Sequence, residues 1–246
     1  MSCLDVKGLC KDFGGVRAVN NLSFSLEKGE ILGLIGPNGA GKTTAFNMIA
    51  GYFPPDQGEI YFQGTPITGL RPWDVCRLGI ARTFQLSKPF GELSLIENVM
   101  VGGFAETSDR RLARQRAEEV LEFLAMSEQM DIEAHNLTVF DRKKLELGRA
   151  LATSPELLLL DEVVAGATPN EAGDMMELIR RIRASGVTVL IVEHVMKVIM
   201  GLSDRVVVLN YGEKLADCSP EDAACNPDIL KAYLGDRYVG AARSST

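Results

Sequence analysis

At 246 residues, 46% of them hydrophobic, the chain is long enough and apolar enough to bury one large domain or a core with an attached lobe. Its 26 basic and 33 acidic residues leave a formal net charge of −7, the wrong sign for a general nucleic-acid binder, so any phosphate binding must be local. Five scattered cysteines without paired metal-ligand spacing fit a reducing cytoplasm, and neither a signal-peptide pattern nor an apolar run of roughly 20 residues is present, so a membrane role would need partners.

In chain order, Leu22 to Leu26 alternates like a half-exposed strand, and Ile31 to Ile35 is a continuous apolar strand with a helical pattern from about Gly41. Glu59 to Gln63 alternates again. From about 86 to 152 strand signal gives way to helical charge, with Ala113, Ala117, Val120, Leu121 and Leu124 on one face of a helix starting near Asp109. Leu157 to Leu160 and Val187 to Val192 read as buried strands. Between them Thr168-Pro169-Asn170-Glu171 is a capping box for a helix running to about Arg183. Val206 to Leu209 turns through Asn210-Tyr211-Gly212 into Lys214 to Ala216 as a hairpin, and the small, polar tail after Gly240 should fray. The alternation predicts an α/β fold around a buried parallel sheet, with an inserted helical lobe.

Gly36-Pro37-Asn38-Gly39-Ala40-Gly41-Lys42-Thr43-Thr44 fits a phosphate loop, set between a strand and a helix as its mechanism requires. Gly36, Gly39 and Gly41, with Asn38 between them, let backbone N–H groups turn toward the β- and γ-phosphates of ATP or GTP. Lys42 adds a mobile charge, Thr43 can ligate Mg²⁺, and Thr44 can hold the α-phosphate. A plain strand-to-helix turn would need the glycines but neither the lysine nor the threonines. Asp161 and Glu162 end an apolar strand, where Asp161 can hold Mg²⁺ through water and Glu162 can act as general base on an attacking water; helix capping is their other reading. His194 ends the next strand and can hydrogen-bond a γ-phosphate or that water. His135, among polar residues of the lobe, is read as a solvated surface residue.

With Thr83-Phe84-Gln85 after the phosphate loop, these motifs resemble the ABC ATPases over most of the chain, from Leu4 to about Tyr238. The finer match is to the LivG-type ATPases of branched-chain amino-acid importers. It rests on 11–18 (KDFGGVRA), 79–85 (GIARTFQ), 193–200 (EHVMKVIM) and 232–235 (AYLG). The resemblance implies a P-loop NTPase core with a mostly parallel sheet, formed by about 1–85 and 153–240, an antiparallel β subdomain, and a helical subdomain over about 86–152. It makes Gln85 a sensor of Mg²⁺ and γ-phosphate, His194 the switch histidine, and Phe13 the aromatic that stacks on adenine.

It further implies a peripheral subunit, soluble when isolated, at the cytoplasmic face of the inner membrane. Its partners would be membrane-spanning permease subunits, a second ATPase subunit in a homo- or heterodimer and, indirectly, a solute-binding protein. A permease helix would enter a groove along 85–101, touching Leu86, Phe90 and Leu93. The implied task is ATP-driven import of branched-chain or other hydrophobic amino acids; lipopolysaccharide export and urea uptake are served by similar ATPases. Relatives acting on ribosomes or DNA carry two cores or a long coiled coil, and this sequence shows neither, so no nucleic-acid partner is expected.

One segment departs from the pattern. Where the family reads L-S-G-G-Q or L-S-Y-G-Q, this chain has Leu137-Thr138-Val139-Phe140-Asp141, in a register fixed by 142–146 (RKKLE) and 149–151 (RAL). In the family this signature completes the nucleotide site of the opposite subunit. Thr138 retains a hydroxyl, whereas Val139 and Phe140 place side chains where glycine backbone would approach phosphate, and Asp141 adds a carboxylate. A weak signature offered in trans is one expectation; a competent one, with the side chains turned away, is the other. At 165–168 (AGAT) the loop after the carboxylates also drifts, and Thr168 is read first as a helix cap.

Overall fold

A computed structural model of the chain describes residues 2–84 and 88–234. The elements run β1 (Ser2–Phe13), β2 (Val16–Glu27), β3 (Ile31–Ile35), α1 (Lys42–Ile49), β4 (Gln57–Phe62), β5 (Thr65–Pro66), α2 (Pro72–Arg77), β6 (Ile80–Arg82) and α3 (Leu95–Gly103). They continue with α4 (Arg110–Phe123), α5 (Val139–Leu151), β7 (Leu157–Asp161), α6 (Pro169–Ala184), β8 (Thr188–Val192), α7 (Met196–Leu202), β9 (Arg205–Asn210), β10 (Glu213–Cys218), α8 (Pro220–Cys225) and α9 (Pro227–Leu234). These form two compact units, one built from residues up to 71 and from 188 onward, the other from 72–187.

The first unit holds two sheets. One is antiparallel, ordered β2-β1-β4-β5, with Leu4 opposite Leu26 and also Phe62. Leu4, Val6, Leu9, Leu22, Phe24, Leu26 and Ile60 bury its apolar face. The other has the order β10-β9-β3-β8, in which β3 lies parallel to both β8 and β9, and β10 returns antiparallel through the Tyr211-Gly212 turn. β3 and β8 are buried along their whole length, which is why their sequences are continuous apolar runs. β1 is a strand the sequence reading missed. Its alternation is broken around Gly8 and Cys10, where the pairing register with β2 shifts.

In the second unit β6 and β7 pair in parallel, Ile80 opposite Leu157. Between them in sequence, described residues 88–152 carry α3, α4, α5 and two short 3₁₀ turns. α4 buries Ala113, Ala117, Val120 and Leu121, as its periodicity predicts. α3 and α6 begin with complete capping boxes, Ser94 with Glu97 and Thr168 with Glu171. Asn98 is fully buried and satisfied: it accepts from the Phe90 N–H at 2.9 Å and donates to the carbonyls of Phe90, Leu93 and Ser94 at 3.0 to 3.1 Å. One amide side chain thereby fixes the path of 90–94 into α3, a device no sequence pattern announced.

Candidate functional site

The phosphate-loop motif leaves the carboxyl end of β3, beside that of β8, because Leu34 pairs with Val192. Gly36 has φ of 151°, and a Cβ there would lie 2.2 Å from the Leu209 carbonyl oxygen, so no side chain fits. Gly41, the N-cap of α1, has φ of 98° and a Cβ would meet the Ala18 carbonyl at 2.4 Å. The Gly212 N–H donates to the Ala40 carbonyl at 3.1 Å, and the Asn20 N–H to Gly212 at 2.8 Å, pinning the loop to the β9–β10 turn and to β2. Lys42 Nζ donates to the carbonyls of Gly36 at 2.7 Å and Pro37 at 3.0 Å, so its ammonium sits within the loop it follows. Asn38, Gly39 and Thr43 are exposed and Thr44 half-buried. No acidic residue occupies the first turn of α1, and Gly41 brings no capping side chain. The loop thus sets the Lys42 ammonium beside the uncapped, positive end of α1, which suits a polyphosphate.

Two other candidates lie in the same unit. Phe13, at the end of β1, is 46% exposed and meets Phe53 edge-on at 5.4 Å, with Lys11 Nζ near both rings and ion-paired to Asp56 at 2.7 Å. The Lys11 contact and the Asp12 N–H hold the Asp56 carboxyl below its usual range. His194 is exposed just past β8, and its N–H donates to the Glu193 carboxylate, itself buried, at 3.3 Å.

In the second unit, Asp161 is 4% exposed at the end of β7. A carboxylate so buried stays ionised only with a charged partner or several hydrogen-bond donors. Arg82, ending the neighbouring β6, supplies the charge: its Nη2 donates to Asp161 Oδ2 at 3.1 Å. Thr83 continues the clamp, its N–H donating to the Leu159 carbonyl at 2.9 Å and its Oγ1 accepting from the Asp161 N–H at 3.2 Å. The Phe84 N–H donates to Glu146 Oε1 on α5 at 3.2 Å. Glu162 is half-buried and left-handed, with φ of 50°. That conformation costs an ordinary side chain about 1–2 kcal/mol. Gln85 and Leu86 lie outside the described residues; Phe90 is 47% exposed and Leu93 half-buried. Arg82, Lys143 and Glu146 entered the sequence reading only inside matching stretches, and these contacts were not foreseen. Of these only Arg82 left a signal, a lone cation after the apolar Ile80-Ala81.

Thr138 is the N-cap of α5 and accepts from the Asp141 N–H at 3.0 Å while donating to Asp141 Oδ2 at 2.7 Å. Val139 is 71% exposed, and Lys144 Nζ stands 5.6 Å from the Phe140 ring centroid. His135 is exposed, with Nδ1 3.1 Å from the Gly91 carbonyl. One unit therefore carries the phosphate loop, Phe13 and His194, and the other carries Asp161, Glu162 and the variant signature.

A family model described as ABC transporter matches residues 19–165. The high-affinity branched-chain amino acid transport ATP-binding protein LivG of Salmonella typhimurium is 41% identical, over 95% of this chain and 98% of that protein. The corresponding protein BraF of Pseudomonas aeruginosa is 39% identical with the same coverage. Among solved structures, an ATP-binding cassette of an ABC transporter in its ADP conformation superposes with a TM-score of 0.88 at 30% identity, covering 96% of this chain and all of that one. The α/β architecture with a parallel-rich sheet, an antiparallel sheet and helices is the one these cassettes share.

Proposed function

Since the chain belongs to the ABC transporter family of ATPases, we propose that it is the ATP-binding and ATP-hydrolysing subunit of an importer for branched-chain or other hydrophobic amino acids. The observation that carries the reading is the closed phosphate loop, in which Lys42 and the open first turn of α1 converge. The cargo follows from the relatives, which are branched-chain amino acid transport proteins by name along nearly their whole length.

In this reading Phe13 stacks on adenine and the backbone from Gly36 to Gly41 receives the phosphates. Lys42 neutralises charge on the β- and γ-phosphates, and Thr44 takes the α-phosphate. Mg²⁺, when bound, screens the phosphate oxygens, and Thr43, Asp161 and Gln85 are the residues that would hold it. Hydroxyl, carboxylate and amide oxygens are the hard donors that ion takes, and the burial of Asp161 against Arg82 marks a carboxylate built to work beside positive charge. Glu162 accepts a proton from the attacking water, and His194 hydrogen-bonds that water or the γ-phosphate. Thr138, Val139, Phe140 and Asp141 face the nucleotide of a second ATPase subunit. No described helix is long and apolar enough to cross a membrane; passage of the solute is assigned to permease subunits, on whose cytoplasmic side this chain would sit.

Deleting the subunit from its native cell tests the cargo. Uptake of labelled leucine, isoleucine or valine should fall and return with the wild-type chain but not with Lys42→Ala. Unchanged uptake in a cell without a redundant importer refutes amino-acid import and redirects the search to other solutes.

A further inference from the structure

The backbone after Asp161 is held in a strained path from outside. Glu162 is left-handed, and the turn that follows is closed by the Ala165 N–H donating to the Glu162 carbonyl at 3.2 Å and the Ala167 N–H to Val164 at 3.0 Å. These local bonds do not reach the neighbouring helix. Lys143 does: from α5 its Nζ donates to the carbonyls of Glu162 at 3.3 Å and Ala165 at 2.5 Å, spanning the turn from first residue to last. Small cavities lie on either side, one bounded by Thr83, Glu146 and Asp161, the other, of about 90 Å³, by Thr138, Phe140 and Glu171, with Lys143 in the wall of both. Beside these cavities, two charge-assisted hydrogen bonds tie the turn to α5.

We propose that Lys143 is a positioning residue for hydrolysis: by gripping both carbonyls it holds Glu162 in the left-handed conformation that aims its carboxylate, and it ties that aim to the N-terminal end of α5. The same helix grips the neighbouring strand end through Glu146 and the Phe84 N–H. α5 therefore touches the segments leaving both β6 and β7, and its N-cap is Thr138, five residues before Lys143. A shift of that end is transmitted to the Glu162 carbonyl through a side chain bonded to it. The proposal rests on Glu162 acting as the base, and it adds a residue that acts through the Glu162 backbone.

The test compares Lys143→Met and Lys143→Arg with wild type in the assembled transporter. Methionine keeps the length and loses the donors; arginine keeps donors able to serve two carbonyls. Lys143→Met is expected to bind ATP within about twofold of wild type, with an unchanged thermal midpoint and a kcat lowered about tenfold to a hundredfold, as small misplacements of catalytic groups do. Amides 163–167 should exchange faster in the same variant, and Lys143→Arg should recover most of the rate. A kcat for Lys143→Met within about twofold of wild type, or unaltered exchange in the turn, overturns the proposal. So does a loss of rate that arginine fails to restore. If the methionine variant is recovered poorly, Lys143→Gln, too short to span both carbonyls, must show the same loss of kcat, and a wild-type rate in it is equally fatal. Glu162→Gln run alongside separates the two readings. Wild-type turnover there removes the base and the proposal together, whereas a dead Glu162→Gln beside an active Lys143→Met removes only the role of Lys143.

Discussion

Lys42 and Glu162 do different work, and single substitutions distinguish them. Lys42→Ala removes a charge that donates to carbonyls of its own loop, so the fold should survive while ATP hydrolysis drops by about a hundredfold or more, as when one preorganised charge is taken from a phosphoryl-transfer site. Measured turnover near wild type would remove the phosphate-loop assignment. Glu162→Gln keeps shape and loses basicity; nucleotide affinity should persist while the hydrolysis step slows by about two orders of magnitude or more. Glu162→Gly should do the same to activity and yet melt above Glu162→Ala, because only glycine relieves a left-handed strain of the order of 1 kcal/mol. A midpoint no higher than that of Glu162→Ala would show that this backbone stores no strain. The sequence revealed both residues because each stands in a fixed spacing beside a strand end. The contacts of Lys143 and Glu146 stayed hidden because they fall on backbone atoms of segments far away in sequence, and a backbone carbonyl has no letter.

Helix ends carry the next level of control. Glu97 and Glu171 each accept the backbone N–H and the hydroxyl of their cap residue, and these bonds hold both carboxyls below the ordinary 4.5. A depressed folded-state pKa means stabilisation that is complete above about pH 4.5 and disappears as pH falls through the lower folded values. The stability gap between wild type and the double variant Glu97→Gln, Glu171→Gln, followed by urea unfolding, should therefore be open at pH 7 and close in acid. A gap independent of pH would show that the carboxylate charge plays no part. At α5 the cap has a second meaning. The Thr138 hydroxyl already donates to Asp141, so in the proposed dimer it reaches the other subunit's nucleotide only by giving up that bond. Replacing Val139, Phe140 and Asp141 with Gly, Gly and Gln in the assembled complex should raise ATP turnover; unchanged or lower turnover means the variant signature is competent as it stands. The capping box at Thr168 was legible because four consecutive letters encode it, whereas the cap at Thr138 was obscured by the signature it replaces.

At the scale of the molecule, the strand–helix alternation was readable because buried parallel strands are unbroken apolar runs, while the antiparallel sheet was only half visible because β1 is interrupted by register shifts. The pairing of β3 has a consequence for how the molecule is made. Its neighbours β8 and β9 are distant in sequence: Ile31 pairs with Val189, about 160 residues later, and Gly33 with Val206. The second unit, 72–187, is continuous and is synthesised in full before either neighbour. At about 5–20 residues per second the strand beneath the phosphate loop waits roughly ten to thirty seconds for its partners. A chain ending at 187 contains the entire phosphate-loop motif, yet lacks the Leu209 carbonyl that Gly36 lies against and the Gly212 N–H that binds Ala40. Nascent chains arrested at that length should bind no fluorescent ATP analogue, and binding should emerge once residues through β10 are free of the exit tunnel. That outcome would make nucleotide competence among the last properties acquired during translation.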